Sequence, residues 1–257
     1  MDIKEEKKPL VSVVMPACNA ERFVEEAVMS VLGQTVSDLE LIVVDDGSSD
    51  ETRQILGRIA EQDARVRLVV NEENMGVAKS RNRGLDLSRG TYTALLDSDD
   101  YWHSDMLEKM IACIERTGAD LVYCSYAMVD EDGKKICNDF IVPETADYAY
   151  SLVRSVITCS TVLMTRKIVD AYRFPTNVYH EDIAMWFTIL KEGGTACGVT
   201  EILAAYRQRS GSRSSEKLKS ASRRWEIYHK HLGIGAFRSI VLMIRYGIYG
   251  LAKYKRL

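Results

Sequence analysis

A run of carboxylates closes an apolar stretch in this chain, Leu95-Leu96-Asp97-Ser98-Asp99-Asp100. Each ionised carboxylate raises the cost of ionising its neighbour. Three acids within four residues, where a buried strand would emerge, therefore call for a cation. A hard divalent ion with oxygen ligands, Mg²⁺ or Mn²⁺, is the natural one, and such ions bridge protein carboxylates to substrate phosphates. The same residue types also suit a turn, with Ser104 or Asp105 capping a following helix. On the run alone the two readings are evenly matched, and the surrounding elements must separate them.

Those elements alternate. Val11 to Met15 reads as a buried strand broken at Pro16, and Phe23, Val24, Ala27, Val28, Val31 and Leu32 then recur at helical spacing through about Gln34. Leu39 to Val44 reads as a second strand, and Asp50, as a cap, starts a helix to Gln62. Val66 to Val70 is a third strand, Val77 to Leu87 a third helix, and Thr91 to Leu96 the strand that delivers the acids. Strand–helix alternation with short links predicts a doubly wound, mostly parallel α/β sheet, Rossmann-like in plan, with ligands bound at the carboxyl ends of its strands. The segments at those ends are Pro16-Ala17-Cys18-Asn19, Asp45 to Asp50, Asn71 to Gly76 and Asp97 to Asp100. Further on, Asp120 to Val129 reads as a strand and Asp130 to Gly133 as a hairpin turn. Cys159 to Thr165 reads as a strand, Glu181 to Lys191 as a helix stopped by Gly193-Gly194, and Ala196 to Tyr206 as another strand.

The chain has 257 residues, 46% hydrophobic and 28% charged, enough for one large α/β domain with an appendage. Six cysteines without a CxxC pair exclude a zinc ribbon or a disulfide framework and fit a reducing cytosol. The charged opening, Met1 to Lys8, and the short apolar segment Leu10 to Met15 do not make a signal peptide. The net charge of −3 conceals an asymmetry: from Arg207 onward there are thirteen Lys/Arg and two acids. The division expected is 1–206 as the catalytic body and 207–257 as a basic loop with C-terminal amphipathic helices. With no nucleic-acid motif present, the basic end points to an anionic membrane face or a phosphorylated lipid rather than to nucleic acid. Ile234 to Leu251 is apolar but carries Arg238 and Arg245 on one helical face, roughly extended by Lys253. No uncharged run there approaches the roughly 18 residues of a transmembrane helix. The helix is expected to lie in a membrane interface, with packing on the domain as the alternative.

Five segments together resemble bacterial family 2 glycosyltransferases, inverting enzymes with the GT-A fold. They are Val11-Ser-Val-Val-Met-Pro-Ala-Cys-Asn19, Val43-Val-Asp-Asp-Gly-Ser-Ser-Asp50, Asn74-x-Gly76-x-Ala78-x-Ser80-Arg81-Asn82, Leu96-Asp-Ser-Asp-Asp100 and Glu181-Asp182. Each is weak alone; their order makes coincidence improbable. The resemblance implies a UDP-sugar donor, with Pro16 and Asp46 at the uracil, Asp46 accepting from the ring N–H, and Ala17 and Asn19 also binding the nucleotide. It places Arg81 near the nucleotide or its phosphates, against the plain reading of an exposed helix charge. It assigns Asp97 to the ribose or to loop support and Asp99 to the Mn²⁺ or Mg²⁺ that bridges the diphosphate, with Asp100 as a second candidate ligand. It makes Asp182 the general base beside Glu181, although two acids opening a helix are also stabilised by its dipole.

Arg209 and Arg213 fall in a Ser/Arg-rich loop that the resemblance expects to close over the diphosphate; a solvated basic loop is the alternative. His180 and Trp102 border these motifs and read as structural. The chain departs from the family at Cys18, where many members carry Tyr or Phe, so an aromatic contact to the base is absent. The function implied is metal-dependent transfer of a hexosyl or N-acetylhexosaminyl group to a glycan or lipid-linked saccharide in surface polysaccharide synthesis. Such a protein would sit in the cytoplasm, peripheral at the inner face of the membrane. The rivals are a sugar-1-phosphate nucleotidyltransferase, for which the first strand lacks a Gly-rich basic loop, and a non-catalytic membrane-associated module. A dinucleotide enzyme is excluded by the lack of GxGxxG after that strand.

Overall fold

The structure, a computed structural model, describes residues 8–208 and 217–254. Its first half is a wound unit of β1 (Val11–Ala17), α1 (Val24–Leu32), β2 (Leu39–Asp46), α2 (Thr52–Gln62), β3 (Val66–Asn71), α3 (Val77–Leu87) and β4 (Tyr92–Leu95). Strands β1 and β2 are buried along their whole length, as apolar strands covered on both faces must be. These four strands run parallel in the order β3-β2-β1-β4. The winding reverses between β1 and β4, which opens a crevice at their carboxyl ends.

The second half extends the same sheet with β5 (Tyr101–Trp102), β6 (Leu121–Val129), β7 (Val162–Thr165) and β8 (Ala196–Arg207), giving the order β3-β2-β1-β4-β7-β6-β8-β5. β7 is antiparallel to β4 and β6, β6 and β8 are parallel, and β5 pairs antiparallel with the end of β8. The helices are α4 (Met106–Thr117), α5 (Tyr148–Val153), α6 (Arg166–Ala171), α7 (Glu181–Lys191), α8 (Lys217–Glu226) and α9 (Ala236–Tyr254), the last two joined through a π-helical turn at Ile227–His231. One core packs α1 and α4 on the sheet through residues such as Val28, Met106 and Met110. A second packs Leu85, Phe174 and Trp186 on the other face.

Two expectations at the site change. β1 continues through Pro16 instead of breaking there. The Val14 carbonyl accepts from Leu96 N at 3.1 Å, so alternate residues of β1 direct their polar groups toward β4. Pro16, two residues on, faces the same way where β4 has already ended, so its missing N–H forfeits no ladder bond. Strand β7 begins at Val162, not Cys159, because Cys159–Thr161 form a 3₁₀ turn. That turn carries Ser160 beneath the acidic run.

Gly84 marks where α3 presses on β1: a Cβ there would fall within the Val14 side chain. Gly84→Ala is expected to cost about 1–3 kcal/mol by overpacking, read as a lowered urea midpoint at constant slope. A shift below about 0.5 kcal/mol would show that the contact yields freely and that α3 is not held by it.

The C-terminal helices share a core with α5 and α7, formed by Leu152, Phe187, Ile227, Tyr228, Leu232 and Leu242. Arg224 is buried at its centre, its guanidinium 4.9 Å from the Phe187 ring and 4.5 Å from that of Tyr246. It also donates to Tyr228 Oη at 3.0 Å and Ser155 Oγ at 2.8 Å. One face of α9 therefore packs on the protein, where an interfacial helix was the first expectation; its other face remains exposed. Among the described residues no helix is long and apolar enough to cross a membrane.

Candidate active site

A cavity of about 820 Å³ lies at the carboxyl ends of β1, β2 and β4. Pro16, Ala17 and Cys18 form one end, Asp46 and the segment 74–79 one side, and Asp97, Ser98 and Asp99 another. Glu181 and the segment 176–179 that precedes α7 make the far wall, with Glu226 of α8.

The β2 end is built around Asp46, which is buried. Its Oδ1 accepts from Asn71 Nδ2 at 2.7 Å and Met75 N at 2.9 Å, and its Oδ2 from Gly76 N at 2.9 Å. A carboxylate has about four acceptor sites, so Asp46 organises the β3–α3 loop and keeps one for a donor in the cavity. Gly47 makes this possible: its φ is +67°, and a Cβ would stand 2.8 Å from Asn74 N. Asp45 is fully buried and ion-paired to Arg53 at 2.8 Å, away from the cavity. Asp50 accepts from Thr52 N at 3.0 Å, but the N-cap position of α2 is Glu51, one residue later than expected. Asn19, expected to bind the nucleotide, is not among the residues that line the cavity. It clasps the β1 and β2 loops instead, its N–H donating to Ser48 Oγ at 3.0 Å and its Oδ1 accepting from Ser49 N at 2.9 Å.

The acidic run divides by direction. Asp97 and Asp99 reach the cavity wall half-buried, whereas Asp100 turns inward and is 2% exposed. Asp100 Oδ1 accepts from Arg207 N at 2.8 Å and its Oδ2 from Ser160 Oγ. Burial, reinforced by Asp99 and Asp97, pushes its carboxyl well above the ordinary range against those two donors. Both oxygens are thus engaged away from the cavity, and Asp100 is corrected from metal ligand to internal anchor. Arg207 completes the anchor, its Nε donating to the Asp99 carbonyl at 2.9 Å and its Nη1 to the Glu131 carbonyl at 2.9 Å. Trp102 is buried and donates its Nε1 to Ser160 O at 2.7 Å, a structural role as expected.

Arg81 spans the remaining gap. Its buried guanidinium pairs with Asp97 at 2.6 Å and with Glu181 at 2.8 Å, tying the acidic run to the first turn of α7. Burial alone would lower its pKa; Asp97 foremost among the neighbouring acids outweighs that and raises it, so the charge is permanent. Arg81 does line the cavity, but two of its nitrogens are committed to protein carboxylates. Asp182 is half-buried in the same first turn as Glu181, which makes the wall itself. His180 is the N-cap residue of α7 and stands edge-on to Tyr179.

Sequence reasoning missed the far wall. Tyr179 is held by the Arg223 guanidinium, 3.2 Å from its ring centre, so α8 fixes the 176–179 segment. Arg209 and Arg213 lie outside the described residues. Among the described residues no cluster of three or more His, Cys, Asp or Glu is assembled for a metal. Asp99, with the half-paired Asp97 beside it, nevertheless suits a hard cation that retains water and takes its other ligands from a substrate's phosphates, the habit of Mg²⁺. The cavity thus presents Pro16 and Asp46 to a planar ring, Asp99 to a cation that would accompany a diphosphate, and Glu181 of α7 at the far wall, with Asp182 next to it in the chain but not among the lining residues.

The family model for glycosyl transferase family 2 matches residues 12–172. The glycosyltransferase TuaG of Bacillus subtilis (strain 168), named for a proposed place in teichuronic acid biosynthesis, is 38% identical over 223 residues, 87% of this chain and 88% of that protein. An Escherichia coli relative, the UDP-Glc:alpha-D-GlcNAc-diphosphoundecaprenol beta-1,3-glucosyltransferase WfgD, is 33% identical over 249 residues, 95% of either chain. Among solved structures, S. aureus TarS 1-349 in complex with UDP-GlcNAc superimposes with a TM-score of 0.74 at 19% identity, over 93% of this chain and 71% of that one. That likeness shows the GT-A fold.

Proposed function

We propose that this chain, which belongs to glycosyl transferase family 2, transfers a hexosyl or N-acetylhexosaminyl group from a UDP-sugar to a lipid-linked saccharide, inverting the anomeric centre. The observation that carries the reading is the gathering of Asp46, Asp97, Asp99 and Glu181 around one cavity at the switch point of the sheet. WfgD, similar over nearly its whole length, is named for a UDP-Glc donor and a diphosphoundecaprenol-linked acceptor, and TuaG for teichuronic acid biosynthesis.

In this reading Pro16 and Ala17 flank the uracil, and the remaining acceptor site of Asp46 takes its ring N–H. Asp97, steadied by Arg81, borders the ribose. Asp99 holds the divalent cation, which when bound supplies Lewis-acid neutralisation of the departing diphosphate. The acceptor hydroxyl attacks from the opposite side, and a carboxylate at the start of α7 takes its proton. Glu181 is poorly suited to that task, being buried and ion-paired to Arg81, so the proton acceptor is Asp182. The sheet through Arg207 binds the donor and does the chemistry, α8 closes the cavity wall, and α9 approaches the acceptor.

Calorimetric titration of UDP into wild type and Asp99→Asn, each with and without Mn²⁺, tests the donor site. Metal should tighten UDP binding to the wild type by about tenfold or more, a gain of about 1.4 kcal/mol, and the gain should vanish in the variant. Failure of the wild type to bind UDP under either condition would remove the uridine assignment.

A further inference from the structure

Helix α9 presents an apolar stripe left exposed by the described residues. Phe237, Ile240, Val241, Ile244 and Ile248 are 40–82% exposed. Their spacing, i, i+3, i+4, i+7 and i+11, aligns them along about 16 Å of one face. The opposite face is spent on the protein through Ser239 and Leu242, both buried, and Tyr246 under Arg224. Tyr249, also on α9, is 36% exposed, and the other large exposed apolar residues of the described chain, such as Met29 and Ile141, lie outside α9.

The stripe has a basic border. Arg238 and Arg245 are exposed and lie about 80–100° round the helix from its centre, on the same side. Beyond them a second cavity, about 490 Å³, opens between α5 and α9. Arg154 stands in it, 3.9 Å above the Tyr249 ring and 4.6 Å from that of Tyr150. The acid in its wall, Asp147, caps α5 by accepting from Tyr150 N at 2.7 Å. From Ile227 to the last residue the sequence holds six Lys/Arg and no acid.

We propose that this face docks on an anionic phospholipid bilayer, the stripe entering the acyl boundary and Arg238, Arg245 and Arg154 meeting lipid phosphates. Charge chooses this occupant. A second copy joined stripe to stripe antiparallel would bring two rows of arginine together, and joined parallel would leave each row unanswered, since α9 holds no carboxylate. Hydrocarbon flanked by phosphates complements both the stripe and its border. α8 connects the surface to the cavity, packing on α9 while its Glu226 lines the cavity wall. Docking would therefore bring the cavity to a lipid-linked acceptor; that consequence, though not the surface itself, rests on the function proposed above.

The test is flotation with phosphatidylcholine vesicles, with and without one third phosphatidylglycerol. The full chain should float with the anionic vesicles, less so as salt rises. Ile244→Glu and, separately, Ile248→Glu should each weaken partitioning about tenfold, and Arg238→Ser with Arg245→Ser should do so about tenfold on anionic vesicles. All these positions are exposed, so UDP binding measured without vesicles should be unchanged and reports that each variant is folded. Absence of flotation, or flotation indifferent to both glutamate variants, would overturn the proposal. So would a concentration-dependent dimer dissociated by Ile244→Glu in a protein that does not float. Flotation without UDP binding in the wild type would instead overturn the donor assignment and leave the surface standing.

Discussion

Asp182→Asn is expected to lower kcat for sugar transfer by about 10²–10⁴-fold, the usual contribution of a positioned general base, with UDP affinity essentially unchanged. Two adjacent acids differ in their surroundings. Glu181 is 4% exposed, and its Oε1 accepts from Arg81 at 2.8 Å. A carboxylate fixed in that way cannot swing toward an acceptor without stranding a buried guanidinium. Asp182, in the same turn, is half-buried and so more open to an acceptor than Glu181. Asp182→Asn preserves shape and removes the proton acceptor, so the loss should fall on kcat rather than on donor binding. Glu181→Gln should behave differently, weakening the Arg81 tie and lowering stability together with UDP affinity. Retention of kcat within about tenfold in Asp182→Asn would place the base elsewhere.

Arg81→Met is expected to cost about 3–5 kcal/mol of stability, the penalty for removing one partner of a buried ion pair. Against a total of about 5–15 kcal/mol for a domain, that is enough to make folding marginal at physiological temperature. Most of the cost should come from Glu181, whose side chain is 6% exposed, since the 31% exposed Asp97 can recruit water. The double variant Arg81→Met/Glu181→Gln should therefore recover a good part of the loss, and a denaturation cycle over the four proteins would measure the coupling. In the folded fraction Asp97 loses its tether, so UDP binding should weaken as well. A loss below about 1 kcal/mol with no coupling to Glu181 would refute the strut. Arg81→Lys should rescue incompletely, because an ammonium is a point charge without the fork that reaches two carboxylates.

Much of the fold was legible in the sequence, for identifiable reasons. Runs such as Leu39 to Val44, apolar but for Glu40, announced strands covered on both faces, and the helical spacing of Val24 to Leu32 announced the crossovers. The short helices α5 and α6, six residues each, were not read, since they span less than two turns and show no repeat. In the second half Glu181 to Lys191 was read to the residue, its end marked by Gly193-Gly194.

The sequence by itself determined which segments lie at the strand ends and so which residue types could meet a ligand, because those features depend on neighbours within a few positions. Tertiary structure alone decided which of those residues face the cavity. Asp99 and Asp100 are adjacent, yet Ser160 and Arg207 draw Asp100 inward from 60 and 107 residues away. Arg81 meets Glu181 across a separation of 100 residues, and Arg223 of α8 steadies the wall at Tyr179. A buried charge must find its partner wherever the fold supplies one, and that partner leaves no periodic trace in the chain.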